Sequence, residues 1–267
     1  RRQLRGCIAM TQSFKTITID FKDRVSTITL TSPPLNIINI QMMDELSEAL
    51  GKLATNTELA ALVVKSGVDG VFSAGADVRE HLPEKAEQLI RKFENLIMKL
   101  FSFPAPTICV VDGRCLGGGM ELAMVCDFVV ASEAAEFGQP EIKVGVFPPV
   151  AAALYPRLTS LKNVQTLILL GKTVKAAEAK QLGLVNEVVE KQRLEEVLKS
   201  FTDQLLANSS AVMRYAKRAV LSSLELSFEQ ALAKASDLYL NELMKTEDAV
   251  EGLKAFLEKR RPLWRHR

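Results

Sequence analysis

Two glutamates and a run of glycines carry the chemistry this sequence can offer. Gly117-Gly118-Gly119 closes a strand-like run and opens Met120-Glu121-Leu122-Ala123-Met124-Val125, which reads as a helix. Backbone that dense in glycine lets a ligand approach closely, and a helix start there aims unpaired N–H groups at the same point. Glu121 stands in otherwise apolar company, where a carboxyl needs a partner or a task. Glu141 follows in Gln139-Pro140-Glu141-Ile142, and taken alone it reads as a first-turn acid complementing a helix dipole. An anion cradle with two nearby carboxyls points to acid–base chemistry on a substrate that passes through an oxyanion. Ala74-Gly75-Ala76-Asp77 is a second small-residue turn, either a further N–H donor or a plain loop capped by Asp77.

Other chemistries are poorly supplied. No Lys-Ser or Lys-Thr follows the glycines, so they are not a P-loop, and no further glycine falls where a dinucleotide fingerprint needs one. The chain has 2 histidines, His81 and His266, and its 4 cysteines show no metal-ligand spacing. No metal site is expected. A formal charge of +2 argues for neither nucleic acid nor a membrane surface, and no apolar run is long enough to span a bilayer. Cysteines in apolar surroundings suit a reducing, cytoplasmic setting. Residues 1–9 are rich in arginine and free of acids; they read as an artificial leader or as sequence upstream of a start at Met10, the third reading being the remnant of a targeting segment, which would mean the mitochondrial matrix.

The elements that must position these residues follow from periodicity. Residues 15–21 and 25–31 alternate as a hairpin. A helix is predicted over 40–54 and another over 84–100, with Leu89, Phe93, Leu96 and Leu100 inward. Residues 59–65, 107–111 and 128–131 are continuous apolar runs, as strands buried on both faces are, and 71–73 leads into the Ala-Gly-Ala turn. Strands alternating with helices indicate an α/β unit with parallel crossovers. Beyond residue 163 the pattern turns helical, at 163–170, 174–182, 191–208, 210–223, 227–244 and 246–259, with one strand at 184–189. No internal repeat is visible in the sequence. The expected organisation is a flexible extension over 1–13, an α/β core over 14–205 and a helical assembly region over 206–267.

Together, Phe72-Ser73-Ala74-Gly75-Ala76-Asp77, Gly117-Gly118-Gly119-Met120-Glu121 through Asp127, Phe137-Gly138-Gln139-Pro140-Glu141 and Ala255-Phe256 through Lys259-Arg260 resemble the enoyl-CoA hydratase/isomerase (crotonase) superfamily over nearly the whole chain. The resemblance implies a spiral of ββα units whose C-terminal helices assemble trimers or dimers of trimers. It implies an acyl-CoA thioester as substrate, with CoA part of that substrate and no separate cofactor. The thioester oxygen would be held by the N–H groups of Ala76 and Gly118, the adenine would rest against the backbone of Ala74 to Val78, and Phe256 and Lys259 would stand near the nucleotide end. Gly117 would border the same site. Glu121 and Glu141 match the two glutamates that hydratases use.

One departure bears on the substrate. Where most simple hydratases of the family continue into a glycine-rich run, this chain reads Val146-Phe147-Pro148-Pro149-Val150-Ala151. In the family the N–H at the position of Pro149 helps hold the nucleophilic water, and proline has none. Phe147 and Val150 bring bulk near the acyl pocket, a pattern resembling that of hydratases acting on cyclic dienoyl-CoA in aromatic-ring degradation. The expected activity is therefore a lyase that adds water to, or removes it from, an enoyl- or dienoyl-CoA. An isomerase of the same fold and a catalytically weak acyl-CoA-binding protein are the alternatives.

Overall fold

The computed structural model describes residues 10–267. The expected hairpin is β2 (Ile17–Lys22) with β3 (Val25–Leu30), its alternation burying Ile17, Ile19, Ile28 and Leu30. β1 (Met10–Ser13) pairs antiparallel with β2. The end of the 1–13 stretch, expected to be a flexible extension, is thus an edge strand. Residues 1–9 lie outside the described residues. α1 (Ile40–Ala54) is capped by Asn39, whose side chain accepts from Met42 N.

Three successive passes of the chain follow one plan. Each lays a strand in a large sheet, a short strand in a small sheet, and then a helix. The first pass is β4 (Ala61–Ser66), β5 (Val71–Ser73) and α2 (Pro83–Phe101). The second is β6 (Thr107–Val111), β7 (Arg114–Leu116) and α3 (Gly118–Met124). The third is β8 (Phe128–Ser132), β9 (Glu136–Gly138), a 3-10 turn over Pro140–Val144, α4 (Pro149–Leu154) and α5 (Leu161–Leu169). β10 (Thr173–Lys175), α6 (Ala176–Gln181) and β11 (Glu187–Val189) close the spiral. The large sheet runs β1-β2-β3-β4-β6-β8-β11 and the small one β10-β9-β7-β5. The fold is a spiral of ββα units, although no sequence repeat announces it: each pass requires only apolar strands and a glycine-permitted turn.

The main core fills the space between the sheets, α1 and α2. It takes in Phe72, Phe137, Tyr155 and the thiols of Cys109 and Cys115. A second cluster lies on the other face of the large sheet, under α7 (Leu194–Leu206). α8 (Ser210–Leu221), α9 (Phe228–Asn241) and α10 (Glu247–Leu257) complete the chain. Residues 174 and 175, expected to begin a helix, belong instead to strand β10, because they pair with β9 before α6 starts. Among the described residues no helix is long and apolar enough to cross a membrane.

Candidate active site

The small sheet positions the site. β5, β7 and β9 run parallel, so the segments that follow them emerge at one end. β5 leads to Ala74–Asp77, β7 to Gly117–Gly118, and β9 to Gln139–Glu141. A cavity of about 240 Å³ lies there. Its walls include Ala74, Ala76, Val78, Gly117, Gly118, Glu121, Glu141, Phe147 and Pro149, with Phe93 and Ile90 from α2. All the site residues inferred from the sequence meet at this point except Phe256 and Lys259. Those two belong to the end of α10 and the residues after it, and they are not part of this wall; the Phe256 side chain is 82% exposed.

The two candidate backbone donors, Ala76 N and Gly118 N, lie close together at the glycine turn. A Cβ placed on Gly118 would lie 3.4 Å from Ala76 N. Gly118 opens α3, so its N–H has no partner in the helix. Neither Ala76 N nor Gly118 N donates to an acceptor among the described residues, whereas the neighbouring Gly117 N donates to Gly138 O at 2.9 Å. Gly117 itself must be glycine twice over. Its φ is 52°, and a Cβ there would meet Glu141 Oε1 at 2.7 Å. The turn is as narrow as the carboxyl behind it allows.

Glu121 is 3% exposed. Ala151 N donates to its Oε1 at 2.7 Å, from the first turn of α4. Pro149, at the start of that helix, gives no N–H, and the donors just behind it hold a carboxyl. Burial pushes the Glu121 carboxyl up to about 8, against the backbone donors Ala151 and Val150, which lower it, while the charge of Glu141 raises it further. Glu141 is less deeply set. Burial lifts it to about 6, and its own backbone N–H lowers it. Both carboxyls thus hold a proton more readily than a free glutamate, Glu121 the more so.

Behind Glu141 lie two fully buried polar side chains, Gln139 and Tyr155. Gln139 belongs to the same short motif as Glu141 but gave no sign of a role. Tyr155 was not singled out at all; its one signal was a tyrosine beside an apolar run, Val150 to Leu154, where a buried hydroxyl needs a partner. His81 also lines the cavity, with Nδ1 3.0 Å from Asp77 O. Asp77 caps the 3-10 turn that carries this histidine, as its position after the Ala-Gly-Ala turn suggested.

The family model of enoyl-CoA hydratase/isomerase matches residues 20–267 of this chain. Cyclohexa-1,5-dienecarbonyl-CoA hydratase of Thauera aromatica is 35% identical over 239 residues, which cover 89% of this chain and 92% of that one. Short-chain-enoyl-CoA hydratase of Clostridium acetobutylicum is 32% identical over 251 residues, 92% of this chain and 95% of the other. A crystal structure of the enoyl-CoA hydratase from Geobacillus kaustophilus HTA426 superposes with a TM-score of 0.93 at 26% identity, covering 97% of this chain and all of that one. The match extends from the strands of the hairpin through the glycine turn and both glutamates to the last helix, and on that ground the chain belongs to the enoyl-CoA hydratase/isomerase family.

Proposed function

We propose that this protein hydrates, and in reverse dehydrates, an α,β-unsaturated acyl-CoA through an enolate whose oxygen lies between the N–H groups of Ala76 and Gly118. The observation that carries this reading is a deeply buried carboxyl, Glu121, and a second, Glu141, lining one cavity beside two backbone donors with no acceptor among the described residues. In hydration, Glu141 takes a proton from water as its oxygen bonds to the β carbon. The C=C electrons move toward the thioester, and the two N–H groups stabilise the resulting oxyanion; losing one such donor typically costs ~10²–10³ in rate. Glu121 then gives its proton to the α carbon. A proton passing from Glu141 back to Glu121 resets the pair, and one water has been added. The steps balance with the two carboxyls and water alone, so the reading calls for no cofactor beyond the CoA of the substrate.

The acyl group we favour is a cyclic dienoyl. Phe93, Phe147, Pro148 and Pro149 supply flat, stiff walls to a small cavity, and a rigid ring loses little freedom on entering such a slot. A relative of similar length is named for such a substrate.

A panel of straight-chain, branched and cyclic enoyl-CoAs, followed by mass spectrometry in heavy-oxygen water, tests both levels. A product heavier by one labelled water identifies the hydratase, and the preferred acyl group identifies the substrate. An isomerase would shift the double bond with no gain in mass. Glu121→Gln and Glu141→Gln should each lower turnover by ~10²–10⁴ with the fold intact by circular dichroism. Near-full activity in both variants would remove the assigned roles. In the wild type, kcat/KM should fall below about pH 6 as Glu141 gains a proton and above about pH 8 as Glu121 loses one, the two limbs belonging to the pair as a whole.

A further inference from the structure

We propose that Tyr155 is a positioning residue for Glu141, acting through the side-chain amide of Gln139. The inference rests on the reading above that Glu141 works in its charged form.

Gln139 and Tyr155 are both fully buried, so neither can satisfy its polar atoms from solvent. The Gln139 amide lies between the Tyr155 hydroxyl and the Glu141 carboxylate. Of the two ways to seat it, one turns the amide oxygen toward a carboxylate, acceptor against acceptor. The other satisfies every group. Gln139 Nε2 then donates to Glu141 Oε1 and Oε2, each at 3.1 Å, and Gln139 Oε1 accepts from the Tyr155 hydroxyl at 2.5 Å. The carboxylate, which only accepts, decides between the two, and the hydroxyl, which can donate or accept, then gives its proton to the amide oxygen. The chain of donors thus has one direction, from Tyr155 to Gln139 to Glu141. A donor aimed at both carboxylate oxygens favours the charged form of Glu141 and holds its plane toward the cavity. Burial of the tyrosine hydroxyl, which opposes phenolate formation, keeps the donor protonated.

The other groups facing Glu141 stay in place if the hydroxyl is removed. They are Glu121 from α3, His81 from the turn after β5, and Lys143 on the same 3-10 turn, all lining the cavity. A change in Glu141 caused by a substitution at Tyr155 therefore reports the amide between them.

The test is Tyr155→Phe, which keeps the ring in the core and removes one oxygen. Without the hydroxyl the buried amide oxygen loses its donor, so the amide is held less firmly and is a weaker donor to the Glu141 carboxylate. The pH at which Glu141 takes up a proton should rise by roughly one unit, a tenfold change in its ionisation constant. Infrared difference spectra of the carboxyl stretch, assigned with Glu141→Gln, read this directly and need no turnover. Where an enoyl-CoA of the panel is hydrated, the acid limb of kcat/KM should move up by the same amount. Gln139→Met should produce a similar shift, and Tyr155→Phe added to it should change nothing more. An unmoved Glu141 titration in Tyr155→Phe, or additive shifts in the double variant, would overturn the proposal. If Tyr155→Phe fails to fold, ortho-fluorotyrosine at this position supplies a stronger donor, and Glu141 should then titrate at lower pH; no shift there would likewise overturn it. Failure of the hydratase reading would show as an unlabelled product from the panel, a result separate from the infrared titration.

Discussion

A carboxyl as deeply set as Glu121 makes the fold weaker as the pH rises. Below about pH 4.5 the folded and unfolded chains both hold its proton. Between there and about 8 the unfolded chain releases the proton and the folded one keeps it, so stability falls across that window. The full loss is on the order of 5 kcal/mol. Glu121→Gln removes the dependence while its amide oxygen still accepts from Ala151 N. Urea unfolding should show the variant close to wild type near pH 5 and more stable by a few kcal/mol at pH 8, with turnover lowered by ~10²–10⁴. Parallel pH dependence in the two proteins would mean that Glu121 is not held protonated. Of the residues in this constellation, Glu121 was legible in the sequence because its neighbours Met120, Leu122 and Ala123 left a carboxyl without company. Glu141 was not, since a glutamate after proline reads as an ordinary first-turn acid; only its pairing with Glu121 through the family motif gave it a task. Ala151, Gln139 and Tyr155 act through backbone or through contacts made at a distance in sequence, and no local pattern marks them.

The turn that carries Ala76 is held by a residue on a different element. Asn36 is fully buried at a left-handed φ of 45°, a conformation asparagine tolerates better than most. Its Oδ1 accepts from Ser32 N at 2.8 Å, and its Nδ2 donates to Ser66 Oγ at 2.8 Å and to Phe72 O at 3.0 Å. Its own carbonyl accepts from Ser73 Oγ at 2.7 Å, and Ser73 Oγ accepts in turn from Gly75 N at 3.1 Å. The loop before α1 is thereby fastened to the end of β5, one residue from the Ala76 donor. Asn36→Ala leaves the buried Phe72 carbonyl short of a partner and should cost about 3 kcal/mol in denaturant unfolding. It should also lower kcat more than it raises KM, since the Ala76 N–H acts on the developing oxyanion; unchanged kcat would separate this hub from the site. Element by element, the long pieces were legible and the short ones were not. α1, α2, β6 and the hairpin carry enough apolar repeats to declare their period. β7, β9 and β10 are three residues each, too short for any periodicity, and yet with β5 they build the sheet whose ends present the turn, the glycines and the Gln139–Glu141 segment.

Across the whole molecule the apolar surface is unevenly spread. Phe228, Leu232, Leu240, Leu253, Phe256 and Leu257, all on α9 and α10, are more than half exposed, and exposed apolar side chains gathered on two helices are a common mark of an interaction surface. We expect the chain to self-associate through these helices. Light scattering should then give a multiple of 29.4 kDa, and Leu240→Asp combined with Leu253→Asp should return it to a single chain while α/β circular dichroism is kept. A wild type that already runs as one chain would remove the expectation. Assembly also bears on the substrate, because Phe256 and Lys259 stand apart from the cavity of their own chain. If they meet the nucleotide end of CoA only in the assembled state, the dissociated variant loses binding made equally in ground and transition states, which raises KM and leaves kcat nearly unchanged. An unchanged KM in the single-chain variant would take Phe256 and Lys259 out of CoA recognition and leave α10 a purely structural part of the assembly.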